Sequence, residues 1–120
     1  MKKLLIVDDA AFMRLSIRSM LLKHEIEIVG EAANGVIAVA MYKELRPDVV
    51  TMDITMPEMS GLEALKAIRD FDPQAKVIMV SAMGQEGMVK EAIISGAKTF
   101  IVKPFKEEFF YQTLAKVLGI

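Results

Sequence analysis

The sequence contains no cysteine, which excludes disulfide bonds, thiolate metal sites and cysteine nucleophiles. A chain without disulfides suits a reducing compartment, so we expect a cytoplasmic protein. Long apolar runs that could cross a bilayer are also absent, and Met1-Lys2-Lys3 leads directly into an apolar strand pattern without a cleavable signal peptide. We therefore expect no membrane partner.

A strong net charge is absent too, because 15 lysines and arginines stand against 16 acidic residues. Without a basic field the chain has no general attraction for nucleic acid, and we expect no such partner. No linker, repeat or low-complexity segment divides the 120 residues, so the sequence predicts a single domain over residues 1–120. His24, the only histidine, follows a predicted helix end and is expected to be solvated, without a catalytic role.

Five short apolar runs, separated by longer segments of helical periodicity, dominate the rest of the chain. The runs lie near residues 4–7, 27–30, 49–53, 76–81 and 99–102. Four of them are apolar almost throughout, as strands buried on both faces of a parallel sheet are. Their alternation with helices predicts an α/β doubly wound fold with a parallel sheet.

Local signals predict where several helices begin and end. Ser60 with Glu63 has the spacing of a capping box for the third helix. Asp9 is placed to cap the first helix, and Gly96 is predicted to end the fourth in a left-handed conformation. Arg46 precedes a proline at the end of the second helix, so we expect its backbone to be extended.

Polar residues stand at the carboxyl ends of four of the apolar runs: Asp8 and Asp9 just after the first, Asp53 at the end of the third, Ser81 at the end of the fourth and Lys103 just after the fifth. Because the carboxyl ends of parallel strands share an edge where ligands bind, we expect these side chains to converge. Two carboxylates ~4 Å apart repel each other by roughly 4 kcal/mol at an effective dielectric near 20, so a cation is expected there. With oxygen ligands alone, that ion is Mg²⁺, or Mn²⁺ in its place.

Each of these residues also has an ordinary explanation when it is considered alone. The aspartate pair could cap a helix, Asp53 could be a turn residue, Lys103 a surface lysine and Ser81 a common strand end. Only their joint occurrence, in chain order at the ends of four of the five predicted strands, favours a functional site.

Several phrases of the sequence together resemble the receiver domains of response regulators in two-component signalling. They are residues 6–9 (IVDD), 52–61 (MDITMPEMSG), 81–82 (SA), 96–97 (GA) and 103–105 (KPF). The resemblance covers essentially the whole chain and is strongest to the stand-alone chemotaxis members. It implies a flavodoxin-like (βα)5 fold whose parallel strands have the order 2-1-3-4-5.

The resemblance also implies roles for the polar residues. The acid that matches Asp53 accepts a phosphoryl group from a sensor histidine kinase, and the resulting aspartyl phosphate hydrolyses without a separate enzyme. Ser81 and Lys103 match residues that contact the phosphoryl oxygens. The residues that match the Mg²⁺ ligands are Asp8, Asp9, Asp53 and, through its backbone carbonyl, Thr55.

In the family, a residue matching Ser81 moves inward and an aromatic matching Phe100 fills the vacated space. A partner would then dock on the face formed by the fourth helix, fifth strand and fifth helix, for which the candidates are Val89, Ile94, Phe100, Lys106 and Phe109. A second apolar stripe on the first helix, formed by Phe12, Leu15 and Leu22, is a candidate second docking face. A chemotaxis member would bind a flagellar-motor switch protein and a phosphatase, as a monomer or alternatively a dimer.

The sequence therefore predicts a phosphorylation-activated response regulator of chemotaxis, with self-phosphotransfer and autodephosphorylation as its only chemistry. Two alternatives stay open. The chain could be a receiver that controls a transcription factor or another effector. It could also be a Mg²⁺-dependent aspartyl-phosphate hydrolase, although the short predicted loops leave little for a substrate cap.

Overall fold

Five β-strands alternate with five α-helices in the computed structural model, which describes residues 1–120. The strands are β1 (Lys2–Val7), β2 (Ile26–Ala32), β3 (Val49–Asp53), β4 (Val77–Ser81) and β5 (Thr99–Val102). The helices are α1 (Ala11–Met20), α2 (Gly35–Leu45), α3 (Gly61–Phe71), α4 (Glu86–Ile94) and α5 (Glu107–Leu118). All strand pairs are parallel and the sheet order is β2-β1-β3-β4-β5, which confirms the predicted fold and strand order.

Helices cover both faces of the sheet, and this explains why the central strands are apolar throughout. Every residue of β3 and β4 is buried. One core cluster joins the sheet to α2, α3 and α4, and a second joins it to α1 and α5. Polar side chains that serve a site therefore have room only where the strands end. No helix combines the length and the apolar character that crossing a membrane requires.

Two predicted helix boundaries are confirmed. The Ser60 hydroxyl accepts a hydrogen bond from the Glu63 N–H at 3.2 Å, and the Glu63 carboxylate accepts one from the Ser60 N–H at 3.1 Å. Gly96 has φ of 107°, in the left-handed region, and its N–H donates to the carbonyl of Ile93 at 3.1 Å just beyond α4. Both ends satisfy backbone groups that a helix leaves without a partner.

The predicted capping of α1 by Asp9 is wrong. Ala10 occupies the N-cap position and no side chain caps the helix. The carboxylate of Asp8 instead accepts a hydrogen bond from the Ala10 N–H at 2.9 Å. The acid that stabilises this turn is thus Asp8 and not the predicted Asp9. The side chain of Asp9 is exposed and does not cap the helix.

The predicted extended conformation of Arg46 is also wrong, because its φ and ψ are 46° and 60°. The Arg46 N–H donates to the Tyr42 carbonyl at 2.9 Å, and its guanidinium lies over the ring of Phe71, 4.5 Å from the ring centre. A helix-ending hydrogen bond and a cation–π contact together outweigh the preference that the following proline imposes.

His24 is not simply solvated. Its ring stacks on that of Tyr111, with ring centres 3.7 Å apart and planes 11° from parallel. This contact joins the segment after α1 to α5, two elements that pack on the same side of the sheet. Sequence reasoning missed it because the partners lie far apart along the chain.

A buried hydroxyl in the central strand gives a first testable prediction. Thr51 is 1% exposed and its Oγ1 has no hydrogen-bond partner. Thr51→Val replaces this hydroxyl by a methyl group, so the free energy of unfolding should rise by about 1 kcal/mol in urea titrations. Thr113→Val is the control, because the Thr113 hydroxyl already donates to the Phe109 carbonyl at 2.8 Å on an exposed surface. Destabilisation by Thr51→Val would contradict the prediction.

Candidate functional site

The carboxyl ends of the strands form one edge at which the predicted acidic residues meet. Asp53 is the last residue of β3 and lies level with Val80 of β4, while Asp8 and Asp9 follow β1 directly. One carboxylate oxygen from each of these three aspartates lies within 4.8 Å of the others. The convergence expected from parallel strand ends is therefore present in the structure.

Lys103 lies among these acids and contacts the two that are buried. Its Nζ donates to Asp8 Oδ2 at 3.0 Å and lies 3.5 Å from Asp53 Oδ1. Asp8 is 2% exposed and Asp53 is 8% exposed, whereas Asp9 faces solvent. One ammonium group thus balances part of the charge of three carboxylates, and an uncompensated negative charge remains.

The titration of the site reflects this imbalance. Burial and the neighbouring Asp8 raise the pKa of Asp53 to about 6, against the opposing effect of Lys103. Burial tends to lower the pKa of Lys103, but hydrogen bonds and charges of Asp8 and Asp53 raise it above its ordinary value. The lysine is therefore charged near neutral pH, and ionising Asp53 is costly without a further cation.

The donor set fits a hard divalent cation. The three potential ligand atoms are all carboxylate oxygens, and the exposed Asp9 leaves one side open to water. Mg²⁺ prefers oxygen ligands and binds through one or two carboxylates while keeping several waters. Asp8, Asp9 and Asp53 could hold such an ion, and its charge would stabilise ionised Asp53 against the burial and the repulsion from Asp8 that raise its pKa.

Two arginines of α1 and one acid of β2 support the turn that carries Asp8. The Arg14 guanidinium donates to the Asp8 carbonyl at 2.6 Å and to the Glu31 carboxylate at 3.0 Å. Arg18 donates to the other oxygen of Glu31 at 2.6 and 2.9 Å. These hydrogen bonds, that of Arg18 first, hold the pKa of Glu31 below its ordinary value although burial opposes them. The network fixes the path of the chain between β1 and α1.

Sequence reasoning missed this network because none of its members ends a strand. One signal was available. Arg14 and Arg18 are four residues apart on one helix face, where two like charges repel each other unless an acid lies between them. Glu31 is that acid. Its contact with α1 depends on the packing of this helix over β2, and no local sequence pattern predicts that packing.

Gly61 lets α3 begin directly against the strand that carries Asp53. A Cβ atom at this position would lie 1.9 Å from the Asp53 carbonyl oxygen, and the Gly61 N–H donates to the Ile54 carbonyl at 2.6 Å. The Ile54 N–H in turn donates to Asp53 Oδ1 at 3.0 Å. A side chain at Gly61 would displace the backbone that orients the Asp53 carboxylate.

Ser81 and Phe100 share a cavity beside the acidic cluster. Ser81 is 1% exposed, Phe100 is 42% exposed, and both line an apolar cavity of about 630 Å³ between β4, β5 and α4. The space that a switching aromatic would need is therefore present next to Ser81. Thr55, whose carbonyl is the expected metal ligand, lies in the loop that follows Asp53 and its hydroxyl accepts a hydrogen bond from Gln85 at 2.9 Å.

The structure leaves most of the predicted docking residues exposed, with one exception. Ile94 is 76% exposed and Phe109 is 53% exposed, and Lys106 also faces solvent. Val89 is 8% exposed and belongs to the core, so it was misplaced on the outer face and instead forms part of the cavity wall. Helix α4 carries apolar residues on more than one side, so its pattern alone does not identify the buried face.

The second predicted face lies on α1 and just beyond it. Its three apolar side chains are largely exposed, at 73% for Phe12, 64% for Leu15 and 79% for Leu22. Phe12 and Leu15 therefore lie on the side of α1 that does not pack against the sheet, and Leu22 lies in the turn that follows the helix.

A family model for the response regulator receiver domain matches residues 4–115. The protein therefore belongs to the receiver-domain family, as predicted. The chemotaxis protein CheY of Thermotoga maritima is 58% identical to it over 116 residues, which cover 97% of each chain. CheY of Bacillus subtilis is 57% identical over 117 residues, which cover 98% of each chain.

Solved structures agree with this assignment. A chain of the CheX-CheY-BeF3-Mg²⁺ complex from Borrelia burgdorferi has a TM-score of 0.92 and 42% identity, covering 97% of this chain and 88% of that chain. The response regulator domain of Thermotoga maritima CheB has a TM-score of 0.89 and 35% identity, covering 99% of this chain and 97% of that chain. The protein is a receiver domain closely related to CheY, in a family of signalling domains.

The raised pKa of Asp53 predicts a specific pH dependence in the absence of metal. Because the folded protein binds this proton more tightly than the unfolded chain does, ionisation of Asp53 lowers stability as the pH rises from about 4 to about 6. Asp53→Asn removes that loss. In metal-free buffer, the stability of the Asn variant minus that of the wild type should grow over this range and then level off, as urea titrations would measure. A difference independent of pH would contradict the shifted pKa.

The close approach at Gly61 predicts a loss of stability on adding a single methyl group. Gly61→Ala should lower the free energy of unfolding by about 1 to 3 kcal/mol, because the strand end must shift to make room. Gly87→Ala, also near a helix start but with no atom within 4 Å of the added Cβ, is the matched control and should be neutral or stabilising. Equal effects of the two substitutions in thermal unfolding would show that the contact at Asp53 is unimportant.

Proposed function

We propose that this receiver domain is a phosphorylation-activated response regulator of chemotaxis, and that Asp53 accepts the phosphoryl group in a Mg²⁺-dependent reaction. The observation that carries the proposal is the contact of Lys103 with two buried aspartates beside a third, solvent-facing one. The relationship to CheY supports the chemotactic role. A single receiver domain over residues 1–120, located in the cytoplasm, belongs to the same proposal.

The donor would be a phosphohistidine on a sensor kinase or a small acyl phosphate. An oxygen of ionised Asp53 attacks the phosphorus in line, the bond from phosphorus to the donor atom breaks, and an aspartyl phosphate forms. In such a loose transition state the negative charge lies on the equatorial oxygens, so the protein acts mainly by position and electrostatics. The Lys103 ammonium, already 3.5 Å from Asp53 Oδ1, is placed to stabilise that charge.

The remaining acids would hold the metal ion. Asp8 and Asp9, with Asp53 and the Thr55 carbonyl, are the proposed ligands of Mg²⁺, or of Mn²⁺ in its place. When bound, the ion supplies neutralisation of the charge on the transferred phosphoryl group. A water molecule then attacks the phosphorus as the bond to the Asp53 oxygen breaks, which regenerates the carboxylate and releases inorganic phosphate, so the signal decays even where no phosphatase acts.

The phosphoryl group of an aspartyl phosphate carries about −1.5 to −2 charges and three acceptor oxygens, in place of the single negative charge of ionised Asp53. The Ser81 hydroxyl would move toward those oxygens, and Phe100 would rotate into the cavity that both residues line. Because this cavity opens beside α4 and β5, the rearrangement would alter the docking face. The residues proposed for that face are Ile94, Phe100, Lys106 and Phe109.

The proposed partners are a sensor histidine kinase, a flagellar-motor switch protein and a phosphatase. Support comes from the Borrelia complex, in which a CheY is bound to CheX together with BeF3 and Mg²⁺. The exposed apolar residues Phe12, Leu15 and Leu22 give α1 the character of a second docking surface. Charging Leu15 and Leu22 together would test its use.

A receiver that controls a transcription factor is the second candidate. Chains of LuxR-family response regulators from Aurantimonas and Staphylococcus aureus have TM-scores of 0.90 and 0.91. Their identities of 27% and 30% are well below those of the CheY relatives, so we place this candidate second.

Intact-mass measurement after treatment with acetyl phosphate tests the proposal directly. With Mg²⁺ the wild type should gain the mass of one phosphoryl group, and the gain should disappear with a chelator or in Asp53→Asn. Asp70→Asn, which changes an exposed acid of α3, is the matched control and should keep the gain. No gain in the wild type would contradict the proposed function.

A further inference from the structure

Gln85 begins helix α4 but does not cap it. It occupies the N-cap position, where its side chain makes no capping hydrogen bond. Glutamine is not among the residues that stabilise this position, in contrast to Asn34 and Ser60 at the starts of α2 and α3. The start of α4 thus lacks a capping hydrogen bond from a side chain, and the side chain of Gln85 is available for another contact.

That contact joins the loops that follow β3 and β4. The Ala82 N–H donates to Gln85 Oε1 at 2.7 Å, and Gln85 Nε2 donates to Thr55 Oγ1 at 2.9 Å. In the β3–β4 register Asp53 lies level with Val80, so two residues further Thr55 comes level with Ala82. The carboxamide therefore spans the two strands just beyond the point where their own pairing ends.

The bridge restrains the segment that carries Ser81. The bond from Gln85 to Thr55 is the only side-chain hydrogen bond between the β3–α3 and β4–α4 loops. Ala82 follows Ser81 directly, so an inward displacement of the Ser81 backbone relative to Asp53 would strain the two bonds. Gln85 also lines the cavity that Ser81 and Phe100 share, which places the bridge between the acidic site and the docking face.

We propose that Gln85 is a positioning residue that latches the β4–α4 loop in its unphosphorylated position. The latch opens when a phosphoryl group on Asp53 draws Ser81 inward. The two hydrogen bonds of Gln85 oppose this movement. This inference rests on the proposed function, because it concerns the response of the same site to phosphorylation.

Gln85→Ala removes both bonds and tests the latch in two independent ways. In the metal-free protein, hydrogen exchange of the Ala82 amide, followed by NMR, should become faster because its acceptor is gone. With Mg²⁺, beryllofluoride should bind about three- to tenfold more tightly than to the wild type, the effect expected from one or two modest hydrogen bonds that need no longer break. An unchanged or weaker affinity for beryllofluoride would overturn the proposal.

Matched variants separate the latch from general effects. Gln112→Ala makes the same change on the exposed surface of α5 and should alter neither measurement. Gln85→Glu keeps an acceptor for Ala82 but loses the donor to Thr55, so amide protection should persist. Thr55→Val removes the other end of the bridge. In the double variant with Gln85→Ala, the change in the free energy of beryllofluoride binding should be smaller than the sum of the changes in the two single variants. Full additivity would overturn the bridge.

Failure of the latch and failure of the proposed function give different results. A wild type that binds no beryllofluoride with Mg²⁺ would overturn the proposed function and the latch with it. A wild type that binds beryllofluoride normally, with Gln85→Ala unchanged in affinity, would overturn the latch alone. Exchange of the Ala82 amide in Gln85→Ala that is as slow as in the wild type would also overturn the latch, because the bond from this amide to Gln85 would then provide no restraint.

Discussion

The contact between Lys103 and the buried carboxylates of Asp8 and Asp53 is the interaction on which the rest of the site depends. A parallel sheet brings its strand ends to one edge, so acids at the carboxyl ends of the neighbouring strands β1 and β3 lie close together. Lys103 reaches both from the end of β5, at 3.0 and 3.5 Å. Without it two buried charges would lack a protein counter-charge, which is strongly unfavourable. With it, the repulsion is reduced but not removed, and burial together with the remaining repulsion keeps the pKa of Asp53 raised.

The surrounding structure holds this unfavourable arrangement in place. Arg14 binds the Asp8 carbonyl and is itself fixed by Glu31, while Gly61 allows the start of α3 to pack against the Asp53 backbone. These contacts do not neutralise the cluster. They restrict its geometry, so that the acids cannot relieve their repulsion by moving apart. The acidic site therefore lowers the stability of the fold, and the apolar clusters on both faces of the sheet compensate for this loss.

The fold and the acidic edge could be predicted because they depend on patterns local in the sequence. Apolar runs that end in Asp8, Asp53 and Lys103 specify both a buried strand and the chemistry at its end. The Asp9 cap and the extended Arg46 were wrong because single-residue preferences lost to specific bonds from neighbours. Contacts between distant segments, such as that of Gln85 with Thr55, could not be predicted, because each residue alone resembles an ordinary surface polar residue.

The proposed switch depends on the excess of negative charge in the acidic cluster, and it requires no further structural element. If a phosphoryl group joins Asp53, the single charge of the carboxylate is replaced by about −1.5 to −2 charges in a cluster that is already short of positive charge. Lys103 is committed to Asp8 and Asp53, so further stabilisation of the phosphoryl oxygens requires donors that are not yet in place. We propose that Ser81 supplies one by moving, which would change the loop that Gln85 restrains and the cavity that Phe100 lines. In this view the reaction centre and the docking face are coupled because the charge at Asp53 cannot be satisfied by the resting structure.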